Sequence, residues 1–128
     1  MTRPRVLLAD DHPVLIAAIG GLLSKDYEIV GSVGDGVQLL AEAVRLQPDV
    51  IVLDLHMPAM NGLDACRELK RIVPQARVVV VTADDDPVVQ QVVLAAGAFA
   101  FIGKDVMGTD LLPAVRAASD GQPSRPPG

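Results

Sequence analysis

Asp54 ends the run Val50-Ile51-Val52-Leu53, an aliphatic stretch that gives way at once to a carboxylate, with Pro58 and Asn61-Gly62 close behind. Such a run reads as a strand buried on both faces that delivers its acid to the C-terminal tip. Three other runs end in the same way. Val6-Leu7-Leu8-Ala9 meets Asp10-Asp11, Val78-Val79-Val80-Val81 meets Thr82, and Phe99-Ala100-Phe101-Ile102 meets Gly103-Lys104. One carboxylate after an apolar run often does no more than cap a turn. If these strands are parallel neighbours, however, three acids, a hydroxyl and an ammonium share one sheet edge, and in open α/β sheets the carboxyl edge is where ligands bind.

Carboxylates gathered in this way repel one another, which raises a pKa or demands a cation. Lys104 supplies one cation, and a hard divalent ion is the natural second. Mg²⁺ prefers oxygen ligands, keeps several waters and is commonly held by one or two carboxylates together with a phosphate, a demand that Asp10, Asp11 and Asp54 match; Mn²⁺ would be a substitute. The His56 ring is not expected to bind Mg²⁺, which favours oxygen. It is expected at the mouth of the site, and His12 is read as a helix-start residue without chemistry.

The elements that must position these groups alternate strictly. Strands are expected over Arg5–Ala9, Tyr27–Ser32, Val50–Asp54, Ala76–Val81 and Phe99–Ile102, the second at a sheet edge. His12-Pro13 opens a first helix with Val14, Leu15, Ala18, Leu22 and Leu23 inward, ending near Ser24. Gly34-Asp35-Gly36 breaks the pattern before a second helix with the stripe Val37, Leu40, Ala41 and Val44, which must stop before Pro48. A third carries Leu63, Cys66, Leu69 and Val73, closed by Pro74. Asp84-Asp85-Asp86 before Pro87 supplies an N-cap to a fourth, valine-rich helix, whose β-branched residues form helix poorly and which Gly97 ends. The last runs from Asp110 to Ser119 with Leu111, Leu112, Val115 and Ala118 inward, stopped by Gly121. Five βα units imply right-handed crossovers and a parallel sheet covered on both faces, an α/β doubly wound domain over 1–121. The Pro-rich residues 122–128 read as a disordered tail or the start of a linker.

At 128 residues, half of them apolar, the chain has a core to bury without staples. Aromatics are only 2% of it, so that core is aliphatic and offers no stacking platform for bases. A formal charge of −5 argues against direct nucleic-acid binding by this chain. It has no signal peptide and no apolar run long enough to span a membrane. Cys66 is the one cysteine, which excludes an internal disulfide and makes a reduced, cytoplasmic setting the default.

The segments Asp10-Asp11-His12-Pro13, Asp54-Leu55-His56-Met57-Pro58 with Asn61-Gly62, Thr82-Ala83 and Phe101-Ile102-Gly103-Lys104-Asp105 resemble the receiver domains of two-component response regulators, over about residues 5 to 120. The Asp-Asp-His-Pro opening and Asn-Gly-Leu-Asp look most like the subfamily with a C-terminal LuxR-type helix-turn-helix. The resemblance implies a flavodoxin-like sheet of order 2-1-3-4-5. It implies that Asp54 takes a phosphoryl group from the phosphohistidine of a sensor histidine kinase, and that Asp10, Asp11, Asp54 and the His56 backbone carbonyl hold Mg²⁺. Lys104, Thr82 and Ala83 would then receive the phosphoryl group, Thr82 and Phe101 would act as the switch, and His56 with Asp84 would modulate hydrolysis. Phe101 stands where the family often has tyrosine and, without a hydroxyl, can report only by packing. Gly103, where larger apolar residues are frequent, loosens the approach to Lys104, and Asp105 stands where many receivers have proline. The implied partners are the kinase, a phosphorylation-dependent second copy and a C-terminal DNA-binding domain.

Two other readings compete. A Mg²⁺-dependent phosphatase with Asp54 as nucleophile would want a second aspartate two residues on, where His56 stands. A flavodoxin-like cofactor binder would want a Ser/Thr/Gly-rich phosphate loop in place of Asp10-Asp11.

Overall fold

The computed structural model describes residues 3–84 and 86–120. Asp85, the stop expected at Gly121 and the tail over 122–128 lie outside the described residues. The elements are β1 (Arg5–Ala9), α1 (Pro13–Leu23), β2 (Glu28–Val33), α2 (Gly36–Leu46), β3 (Val50–Leu53), α3 (Gly62–Ile72), β4 (Arg77–Thr82), α4 (Pro87–Ala95), β5 (Ala100–Gly103) and α5 (Met107–Asp120), the last preceded by a 3₁₀ turn over Lys104–Val106. The five strands form one parallel sheet of order β2-β1-β3-β4-β5, with β2 at an edge as expected.

Alternation along the strands divides the core into two layers. Leu7, Ile51, Leu53, Val78 and Val80 face one way and meet Leu39, Ala43, Cys66, Leu69 and Val93 from α2, α3 and α4. Val6, Leu8, Val50, Val52, Val79 and Val81 face the other way and meet Ile19, Leu23, Leu111 and Val115 from α1 and α5. Burying each of these aliphatic side chains is worth about 1.5–3 kcal/mol, which lets helices of poor intrinsic propensity form against the sheet.

Two of the expected helix faces are wrong. In α1 the buried residues are Ile19 and Leu23, with Leu15, Ile16 and Leu22 packed beside them, whereas Val14 is 84% exposed. Every residue of α1 is uncharged and either apolar or glycine, so its sequence holds no polar side to mark the outward face. In α2 the inward residues are Gly36, Leu39 and Ala43, and the expected Val37 and Val44 are exposed. There Asp35 caps the helix by accepting the Gln38 N–H at 2.7 Å, which fixes where the first turn starts and so rotates the stripe by one position. α5 begins three residues before the expected Asp110, because the chain winds directly from the 3₁₀ turn into the helix. β2, β4 and β5 each start and end one residue later than expected.

The register matters most for function. Ala9 pairs with Leu53, and the Asp54 N–H donates to the Ala9 carbonyl at 2.9 Å, so Asp10 and Asp54 leave the sheet side by side. Thr82 pairs with Gly103, which starts Lys104 from the same edge.

Candidate functional site

Three strand ends use one device. The Asp10 carboxylate accepts the His12 N–H at 2.8 Å, the Asp54 carboxylate accepts the His56 N–H at 3.1 Å, and the Thr82 hydroxyl accepts the Asp84 N–H at 3.1 Å. Short side chains that accept the N–H two residues on turn a chain out of its strand. The device holds each oxygen at the strand tip, and it explains why the polar residue directly follows the aliphatic run.

Asp54 lies at the centre, only 2% exposed, with Asp10 also buried and Asp11 on the solvent side. Lys104 reaches across from β5 and places Nζ 3.3 Å from Asp54 Oδ2 and 3.7 Å from Asp10 Oδ2. A half-buried ammonium between two buried carboxylates offsets part of their repulsion and their desolvation. Thr82 is fully buried at the end of β4, and Ala83 beside it is exposed. Phe101 is half-buried and packs on the α3/α4 side of the sheet with Val93 and Ala98. His56 is exposed, and with Asp84 it lines a groove of 310 Å³ between α4 and the start of α3, walled by Leu55, Leu63, Val88 and Val92.

The loop that carries His56 is clamped by two glycines. At Gly62 a Cβ would come within 2.5 Å of the Leu55 Cα, and the Gly62 N–H donates to the Leu55 carbonyl at 2.9 Å. At Gly36 a Cβ would run into the Met60 side chain, and the Gly36 N–H donates to the Pro58 carbonyl at 3.2 Å. Between them Ala59 takes φ +73°, a left-handed conformation that an L side chain adopts at a cost. Asn61 starts α3 by accepting the Asp64 N–H at 2.9 Å.

His12 stands at the start of α1, as read from the sequence, and its ring makes a contact that the sequence did not mark. Its ring caps no helix; Nδ1 lies 2.9 Å from Asp10 Oδ1 and 3.0 Å from Asp11 Oδ1. The hydrogen bond to Asp10 and the Asp11 charge hold the imidazole above its ordinary pKa. One donor atom each from Asp10, Asp11, His12 and Asp54 lie within 4.8 Å of one another, a spacing that suits a single bound cation. Asp10, Asp11 and Asp54 supply the hard oxygen donors Mg²⁺ requires, so among the described residues the donor set fits that ion. No signal in sequence spacing marked His12, because only the turn at Asp10 and the start of α1 at Pro13 bring its Nδ1 to the two acids.

The sheet has this doubly wound order, with acids, a threonine and a lysine at its carboxyl edge, and the chain belongs to the response regulator receiver domains, whose family model matches residues 6–116. It is 37% identical over 123 residues to the transcriptional regulatory protein LiaR of Bacillus subtilis, covering 93% of this chain and 57% of that protein. It is 36% identical over 119 residues to the nitrate/nitrite response regulator protein NarL of Escherichia coli, covering 91% and 55% respectively. The chain thus spans little more than half the length of these relatives. Among solved structures, the signal receiver domain of the response regulator NarL from Mycobacterium tuberculosis superposes with a TM-score of 0.87 at 30% identity, covering 94% of this chain and 99% of that one. The isolated receiver domain of RcsB from Salmonella enterica serovar Typhimurium, solved with a beryllofluoride phosphomimetic, gives a TM-score of 0.87 at 27% identity, covering 94% and 91%. The likeness to LuxR-type regulators agrees with the sequence motifs. Among the described residues, no helix is long and apolar enough to cross a membrane.

Proposed function

We propose that Asp54 is the phosphoacceptor, taking a phosphoryl group from the phosphohistidine of a sensor histidine kinase. The observation that carries this reading is the position of Asp54: a buried carboxylate at the tip of the central strand, with Lys104 Nζ at 3.3 Å and Asp10 beside it. The bond that forms joins an Asp54 oxygen to phosphorus, the bond that breaks is the donor's P–N bond, and its imidazole leaves. Asp10, Asp11, Asp54 and the His56 backbone carbonyl would hold Mg²⁺, with Mn²⁺ as a substitute. When bound, the ion supplies positive charge for the phosphoryl oxygens, the main requirement of this transfer.

The chain's own residues do the rest. The His56 N–H holds one Asp54 oxygen while Lys104 faces the other, which orients the nucleophile before the donor arrives. Lys104 then pairs with a phosphoryl oxygen. Thr82 hydrogen-bonds that group by giving up the Asp84 N–H it now accepts, Ala83 leaves room beside it, and Phe101 repacks against α4. His56 and Asp84, which share one groove, set the access of water to the acyl phosphate. Output follows through a protein contact. We assign it to self-association, through α1 and α5 or through the face made by α4 and α5 with β5, and in a longer chain to a DNA-binding domain acting in the cytoplasm on transcription.

Acetyl phosphate with Mg²⁺ should add one phosphate, seen as a single mass shift, and Asp54→Asn should abolish it. Equal labelling of that variant would overturn the assignment. Sedimentation with and without beryllofluoride tests the self-association, and an unchanged monomer would remove that part alone.

A further inference from the structure

The His12 ring has no task in the phosphotransfer reading, although its Nδ1 meets the acid cluster while the rest of the ring stays exposed. Its position is separable from the fold. The backbone N–H of His12, rather than its ring, closes the turn at Asp10, and Pro13 starts α1 without a side-chain cap. The ring atom that faces Asp10 and Asp11 is Nδ1, at 2.9 Å and 3.0 Å from one oxygen of each. Without an ion, the Nδ1 proton donates to Asp10, the hydrogen bond described above, and a divalent ion bound by the ring would take the place of that proton, which leaves to solvent. Neighbouring ligands of an octahedral ion, each about 2.1 Å from it, are themselves about 3.0 Å apart. The three atoms therefore already have the separation of ligands that share one metal.

We propose that His12 is a metal ligand through Nδ1 and sets the metal selectivity of the site, admitting borderline first-row divalent ions such as Co²⁺ and Ni²⁺ beside the hard ion that oxygen donors bind. This rests on the reading in which Asp10, Asp11 and Asp54 hold a divalent cation. Carboxylate and water ligands alone suit Mg²⁺ and Mn²⁺, whereas an imidazole nitrogen raises affinity for the later ions of the row. Mg²⁺ gains little from nitrogen and would leave the ring on the carboxylates' outer side. Among the described residues the other imidazole, His56, makes no such contact, and it serves as the control.

The test measures Co²⁺ and Mg²⁺ binding separately by calorimetry for the parent chain, His12→Gln, His12→Ala, His56→Gln and Asp11→Asn, with NMR of Co²⁺-shifted imidazole protons as a second readout. In both His12 variants the ratio of Co²⁺ to Mg²⁺ affinity should fall by at least the about 10- to 100-fold that loss of even an outer-shell partner causes. The shifted imidazole resonance should vanish with it, and His56→Gln should keep both. An unchanged ratio, or a shifted resonance that survives in His12→Ala, overturns the inference while leaving Mg²⁺ binding in place. Failure of the parent to bind either ion, or binding indifferent to Asp11→Asn, would instead remove the divalent-cation reading and this inference with it.

Discussion

At His12 the raised pKa has a direction that can be tested without any metal. Because the folded state favours the charged ring, its contribution to stability is complete below the ordinary value of 6.5 and is lost as pH rises through the raised one. In a chelator, urea unfolding of the parent should lose stability relative to His12→Gln between acid and mildly alkaline pH; parallel curves would contradict the contact. Cys66 gives a second residue-level expectation. Burial pushes its thiol from 9.0 to about 12, so it stays protonated and unreactive in the folded chain. Alkylation at pH 8.5 should therefore follow the unfolding equilibrium measured by circular dichroism, and rapid labelling of folded protein would show the site to be open.

The elements around the site differ in how firmly they are held. The loop from His56 to Asn61 carries strain at Ala59 and close packing at Gly62, so two substitutions should move stability in opposite directions. Ala59→Gly removes the left-handed penalty and should stabilise by up to about 1 kcal/mol. Gly62→Ala forces a Cβ onto the Leu55 backbone and should destabilise by about 1–3 kcal/mol, with phosphorylation impaired because Asp54 is next to Leu55. Chemical denaturation of both variants checks the pair. α4 contrasts with this loop: of its residues only Val93 is buried, and Val88 is 66% exposed. Amides over Val88–Ala96 should exchange faster than those over Val14–Leu23 and change when beryllofluoride is added; equal protection in both helices would rule the mobile element out. The strands and their polar tips were legible because an aliphatic run ending in Asp or Thr has few other uses, and the shared turn device places the oxygen where the run stops. The outward faces of α1 and α2 were not, since α1 has no polar side and the cap at Asp35 decides the rotation of α2. The His12 ring was hidden for a related reason: its direction depends on a turn and a helix start acting together.

For the molecule as a whole, the sheet order separates the acid cluster from the end of α5. Each helix runs back against the strands, so α5, packed on β4 and β5, carries the chain from Lys104 at the acid edge to Asp120 at the opposite one. β1 begins at that opposite edge as well. The intervening sheet is four to six residues deep, which is about 13–20 Å of strand. A fluorescent protein or affinity handle fused after Asp120 would therefore hang behind the sheet, clear of any phosphodonor approaching Asp54, and would make a bystander reporter for measuring phosphorylation in living cells.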